Sequence, residues 1–153
     1  MQIRKEYWVE YAHRLKDHPR QCKYIHGHSG RVTITFSGAV DDETGMVKDF
    51  GDLKWVEEIV NKLDHALILQ QYDPLIYVLV AFAEEMRAQD VEPAAQIVET
   101  NGPPTAENLC RWIQTGILRE LAVRVPPGRG HPWLSLESVE FEETRGNTAV
   151  WRR

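Results

Sequence analysis

An α+β fold, with an antiparallel sheet and helices grouped in mid-chain, is predicted by three observations in the sequence. Two alternating runs lie close together near the N-terminus, helical spacing fills the middle, and alternating segments return near the C-terminus. In the first run Ile3, Tyr7, Val9, Tyr11 and His13 share one parity, while Arg4, Glu6, Trp8 and Glu10 share the other. A period of two is that of a strand. A polar loop over 16–24 precedes a second run, in which His26, His28, Val32, Ile34 and Phe36 share a face opposite Ser29, Arg31, Thr33 and Thr35. Its β-branched content favours a strand, which Ser37–Gly38 ends before a turn at Asp41–Gly45.

From Asp49 to Leu63 the period changes. Leu53, Val56, Ile59, Val60 and Leu63 form the apolar stripe of a helix that Asp49 or Asp52 caps. Asp73–Pro74 opens a second helix, Asp as cap and Pro in the first turn, running to about Gln89. Residues 95–100 read as a short strand. Thr105 caps a third helix with Leu109, Cys110, Ile113, Ile117 and Leu121 inward. After a Pro- and Gly-rich loop at 126–132, Ser135, Glu137, Val139, Phe141 and Glu143 share one parity of a strand, and 148–151 close the chain after a turn at Gly146–Asn147.

The 153 residues make one domain, large enough to bury a core without disulfides. Two cysteines exclude a disulfide-rich module and suit a reducing compartment. A net charge of −5 leaves no surplus of Lys and Arg to neutralise phosphates, which argues against nucleic-acid binding. The longest apolar run, Leu75–Phe82, is too short for a bilayer, and the N-terminal residues carry no apolar signal core. A cytoplasmic protein without membrane contact is expected.

The strongest chemical signal is His26-Gly27-His28. Two imidazoles one residue apart on a strand project from one face, and His13, at the end of the preceding strand, supplies a third nitrogen if the strands pair. Three histidines with one position open make a catalytic-type zinc site; Cys22 as a fourth ligand would instead close a structural one. Cys22 lies between Arg20 and Lys23, and positive charge near a thiol favours the thiolate, a base or nucleophile. Cys110 sits on a helix's apolar stripe and reads as core. In Asp64-His65 a carboxylate can fix an imidazole's tautomer, though two charges at a helix end would look the same. Glu143 continues the parity of Val139 and Phe141. It is either an exposed strand end or a carboxylate awaiting a ligand with parallel N–H donors, such as a guanidine-like ring edge.

Taken in order, Ala12-His13-Arg14-Leu15, Cys22 with His26-Gly27-His28, Gly45-Met46-Val47 through Asp49-Phe50, Leu53-Lys54, Leu63-Asp64-His65, Pro104-Thr105-Ala106-Glu107-Asn108 and Glu143-Thr144 resemble the 6-pyruvoyl-tetrahydropterin synthase / 6-carboxy-tetrahydropterin synthase family. The resemblance implies a tunnelling fold (T-fold): a four-stranded antiparallel sheet with helices on one side, its edges joined between subunits into a β-barrel, two trimers stacking as a hexamer. It implies a pterin triphosphate substrate, 7,8-dihydroneopterin triphosphate. His13, His26 and His28 would hold Zn²⁺, Cys22 would be the general base, Asp64 and His65 would relay protons to a neighbouring chain's site, and Glu143 with Thr105 would grip the pterin. The Cys-x₃-His-Gly-His spacing resembles the carboxy-forming branch, which serves 7-deazaguanine and queuosine synthesis and releases acetaldehyde and triphosphate; pyruvoyl formation and a non-catalytic zinc-stabilised pterin-binding protein are the alternatives. Arg14, Arg20, Lys23 and Arg31 are candidates for the triphosphate. Gly30 stands where the family commonly has an aromatic residue, Ala66-Leu67-Ile68-Leu69 replaces the usual run after the Asp-His pair, and 74–97 reads as an added helical insertion.

Overall fold

A computed structural model describes residues 1–92, 95–124 and 134–153. The two alternating N-terminal runs are strands β1 (Gln2–His13) and β2 (His26–Ser37), paired antiparallel along their whole length from Gln2 opposite Ser37 to His13 opposite His26. A short 3-10 turn at Phe50–Leu53 leads into helix α1 (Lys54–Val60). Strand β3 (Ala66–Gln70), helix α2 (Pro74–Ala88) and strand β4 (Gln96–Thr100) follow, then α3 (Ala106–Arg124), β5 (Ser135–Thr144) and β6 (Asn147–Arg152). The Pro- and Gly-rich loop read at 126–132 lies outside the described residues.

Among the described residues the sheet has six strands, ordered β4-β3-β1-β2-β5-β6. This corrects the four-stranded antiparallel expectation. The four antiparallel strands β1, β2, β5 and β6 are present, but β3 pairs parallel to β1, and β4 parallel to β3. β3 escapes a search for alternation because it is apolar at Ala66, Leu67, Ile68 and Leu69. Such a continuous run is typical of a strand buried on both faces.

One face of the sheet carries the core. Val9, Val32, Ile34, Phe36, Val139 and Phe141 meet Val56, Ile59 and Val60 of α1 and Leu109, Cys110, Ile113 and Ile117 of α3. The stripes read for these two helices are therefore the buried ones, and the Cys110 thiol is spent on the Val139 carbonyl at 3.1 Å. Leu69 and Ile76 of α2 are buried outside this cluster, so α2 does not belong to the layer formed by α1 and α3.

The parity read for β5 also needs correction. A bulge opposite Thr35–Phe36 brings Leu136, not Glu137, to the core face. An extra residue reverses the alternation on one side of it. Ile34 is fully buried, and Ile34→Ala is expected to cost about 2–5 kcal/mol in urea unfolding.

Candidate metal centre

The register that pairs β1 with β2 builds the site. His13 lies directly opposite His26, and Tyr11 opposite His28. Like parity puts all three imidazoles on the core face at its open end. Their ring centroids are 4.6–5.0 Å apart, and one nitrogen from each lies within 4.8 Å of the others.

Hydrogen bonds fix which nitrogens converge. His13 Nδ1–H donates to the Pro104 carbonyl at 2.7 Å, and His26 Nδ1–H to the Tyr24 carbonyl at 2.8 Å. A carbonyl can only accept, so these bonds place the ring protons on Nδ1 and leave Nε2 of both rings as a lone pair. The two Nε2 atoms are 3.1 Å apart. His28 Nε2 is buried without a hydrogen-bond partner among the described residues. Lone pairs aimed at one another with no donor between them are unfavourable unless a cation joins them. Two nitrogens on a tetrahedral Zn²⁺ sit about 3.3 Å apart. The donor set and its spacing fit such an ion.

Electrostatics agree. Burial pushes the His13 imidazole down to about 4, with His26 and His28 adding to the effect against the Pro104 bond. Burial also lowers His28, opposed by the Glu143 carboxylate. Both rings are therefore neutral at ordinary pH, as a metal ligand must be. Glu143 Oε1 stands 3.7 Å from His13 Nε2 and 3.9 Å from His28 Nε2, so this residue belongs to the site rather than to a solvated strand end.

The remaining predicted residues are placed around the cluster. Cys22, part-buried in a 3-10 turn at Gln21–Lys23, lines a depression with His18, Arg20, Lys23 and Tyr24. Its sulfur is not among the ligand atoms that lie within 4.8 Å of one another, which speaks against the closed Cys-His₃ arrangement. Thr105 caps α3, its hydroxyl accepting from Asn108 N–H at 3.4 Å. It adjoins Pro104, whose carbonyl orients His13.

Asp64 and His65 are not members of the three-histidine cluster. Asp64 accepts from Glu10 N–H at 2.8 Å and from His65 Nδ1–H at 2.9 Å. The Glu10 bond is the main cause holding its carboxyl below the usual range, with the His65 bond and charge adding to it. His65 has a left-handed backbone (φ 54°) and a side chain 79% exposed. It opens onto a depression lined by Glu10, Ala12, Gly27 and Ser29, of the parity opposite to the three histidines, and also by Tyr11 and His28.

Two triphosphate candidates are already engaged. Arg14 binds Asp73 through two nitrogens, and Arg31 binds Glu142 at 2.7 and 2.9 Å. Reading residue types missed the carbonyls of Pro104 and Tyr24, because a backbone group leaves no mark in the sequence. It also gave no role to Tyr11, whose ring lies 5.4 Å from that of His13 and 5.6 Å from that of His28.

Comparison with known proteins accords with this fold. The family model described as 6-pyruvoyl tetrahydropterin synthase matches residues 2–153. A 6-carboxy-5,6,7,8-tetrahydropterin synthase from Rickettsia bellii is 34% identical over 117 residues, 72% of this chain and 75% of the relative. Among solved structures, an uncharacterized protein from Wolinella succinogenes aligns with a TM-score of 0.73 at 26% identity, covering 100% of this chain and 98% of the other. The 6-pyruvoyl tetrahydropterin synthase of Plasmodium falciparum aligns with a TM-score of 0.69 at 18% identity, covering 100% and 97%, a likeness of fold. The molecule thus has the α+β architecture of the tunnelling-fold proteins. The chain belongs to the 6-pyruvoyl tetrahydropterin synthase family.

Proposed function

We propose that this chain is a zinc-dependent 6-carboxy-5,6,7,8-tetrahydropterin synthase that converts 7,8-dihydroneopterin triphosphate to 6-carboxy-tetrahydropterin, acetaldehyde and triphosphate. The observation that carries the reading is the convergence of three imidazole nitrogens beside a carboxylate, in a chain whose Rickettsia bellii relative bears that enzyme's name.

When bound, Zn²⁺ supplies a Lewis acid that polarises the oxygens of the substrate side chain and acidifies its hydroxyls. His13, His26 and His28 hold it, with His13 and His26 locked by the Pro104 and Tyr24 carbonyls. Glu143 accepts the parallel N–H donors of the pterin ring and Thr105 assists. Cys22 takes a proton from the substrate side chain. Asp64 keeps the His65 proton on Nδ1 and leaves Nε2 free to exchange a proton with substrate. That imidazole is not among the clustered ligands of its own chain, and it serves the site of an adjacent subunit. Joining the exposed edges of β4 and β6 to other copies, in trimers stacked as a hexamer, would bring it there and cover both edges. Arg20 and Lys23, beside Cys22, meet the triphosphate. Residues 74–97 are a helical insertion placed to cover the pocket or to alter assembly.

The test is incubation with 7,8-dihydroneopterin triphosphate, with and without a chelator, and identification of the product by mass. Carboxy-tetrahydropterin formed only without chelator is the expected result. A pyruvoyl product would move the chain to the other branch, and no conversion would overturn the reading. Cys22→Ala is expected to retain its zinc by elemental analysis and to lose turnover. Joint loss of metal and stability would instead make Cys22 a structural ligand.

A further inference from the structure

Tyr11 is 4% exposed, and its hydroxyl is buried without a hydrogen-bond partner among the described residues. An orphan hydroxyl in a protein interior is costly, and a phenylalanine would remove the cost. The position of the ring indicates what the hydroxyl is for. A Cβ built on Gly30 would lie 3.2 Å from Tyr11 Cε1, 3.3 Å from Val9 Cγ2 and 3.4 Å from the Glu142 carbonyl. The ring of Tyr11 therefore leans over β2 at the one position where that strand's core face has no side chain. β2 separates β1 from β5. Glu143 follows Glu142, the partner of Arg31, and its Oε1 lies 3.9 Å from Nε2 of His28, whose ring is 5.6 Å from that of Tyr11. Burial raises the phenol's pKa, and the charge that adds to it is that of Glu143.

We propose that Tyr11 is a positioning residue. It crosses β2 above Gly30 and donates its hydroxyl to the Glu143 carboxylate in the zinc-loaded site, holding that carboxylate in the orientation that receives the ligand ring. The role of Glu143 rests on the function proposed above; the Tyr11–Glu143 contact does not.

Two measurements test it. In a crystal structure of the zinc-loaded protein, Tyr11 Oη is expected within hydrogen-bond distance of a Glu143 carboxylate oxygen. An Oη bonded elsewhere, or still without a partner, overturns the proposal. Tyr11→Phe keeps the ring and removes only the hydroxyl. It is expected to retain zinc and thermal stability while the Kd for a reduced pterin, read by fluorescence, rises about tenfold, the scale of one hydrogen bond to a charged group. KM should rise with it while kcat changes little. Equal pterin affinity in wild type and Tyr11→Phe means a packing role alone and overturns the proposal. If the wild-type protein binds no pterin, the function reading fails, and the crystallographic contact by itself decides whether Tyr11 positions Glu143.

Discussion

Replacing His13 by alanine is expected to abolish zinc binding and reduce conversion of the pterin substrate to the uncatalysed background. His13 is the most buried of the three imidazoles, and its nitrogen is the one that faces His26 at 3.1 Å. Its loss leaves two ligands where a catalytic zinc needs three. Elemental analysis of purified protein reads the effect directly. His18→Ala is the control, since that ring lies in the preceding loop, outside the cluster. A His13→Ala protein that keeps its zinc would refute the ligand set. The same residue sets a pH dependence in the metal-free protein. Its imidazole titrates at about 4 when folded, against about 6.5 in an unfolded chain. Between those values the unfolded chain binds a proton that folded His13 does not, so stability falls as pH falls through that window.

A large effect on stability is also expected from Asp73→Ala. The Asp73 side chain is fully buried; it caps α2 by accepting from Leu75 N–H at 2.9 Å and holds Arg14, accepting from its Nε at 2.8 Å. Alanine removes the cap and leaves a mostly buried guanidinium unpaired, a loss of roughly 2–4 kcal/mol in urea unfolding near neutral pH. Asp73→Asn can still cap α2 and should cost less. The Arg14 bond, and further the Leu75 N–H, hold the Asp73 carboxyl below its usual range. Its contribution is therefore complete above about pH 4, the unfolded value, and is lost as pH falls through the lower folded value. The gap between wild type and Asp73→Asn should narrow in acid; a constant gap would show that the charge does not matter.

Much of the site was legible because strand parity is a strong signal. Once 2–13 and 26–37 are read as strands, His13, His26 and His28 must share a face, and pairing decides whether they meet. What remained hidden was of three kinds. β3 carries no alternation because both its faces are covered. The bulge near Glu137 reverses a parity that a straight strand would have kept. The groups that aim the imidazoles are main-chain carbonyls of Tyr24 and Pro104, and any residue type offers one. Arg14 illustrates a fourth limit: a cation near a metal motif invites a role in anion binding, yet its partner is a helix cap distant in sequence.

The carbonyl that anchors His13 lies 91 residues further along the chain. While the polypeptide emerges from the ribosome, the first hairpin can bring the three rings near one another well before Pro104 exists to lock the most buried of them. If the cluster holds zinc as proposed, high-affinity capture is a late event that waits for Pro104 to reach His13, and metal binding reports that contact.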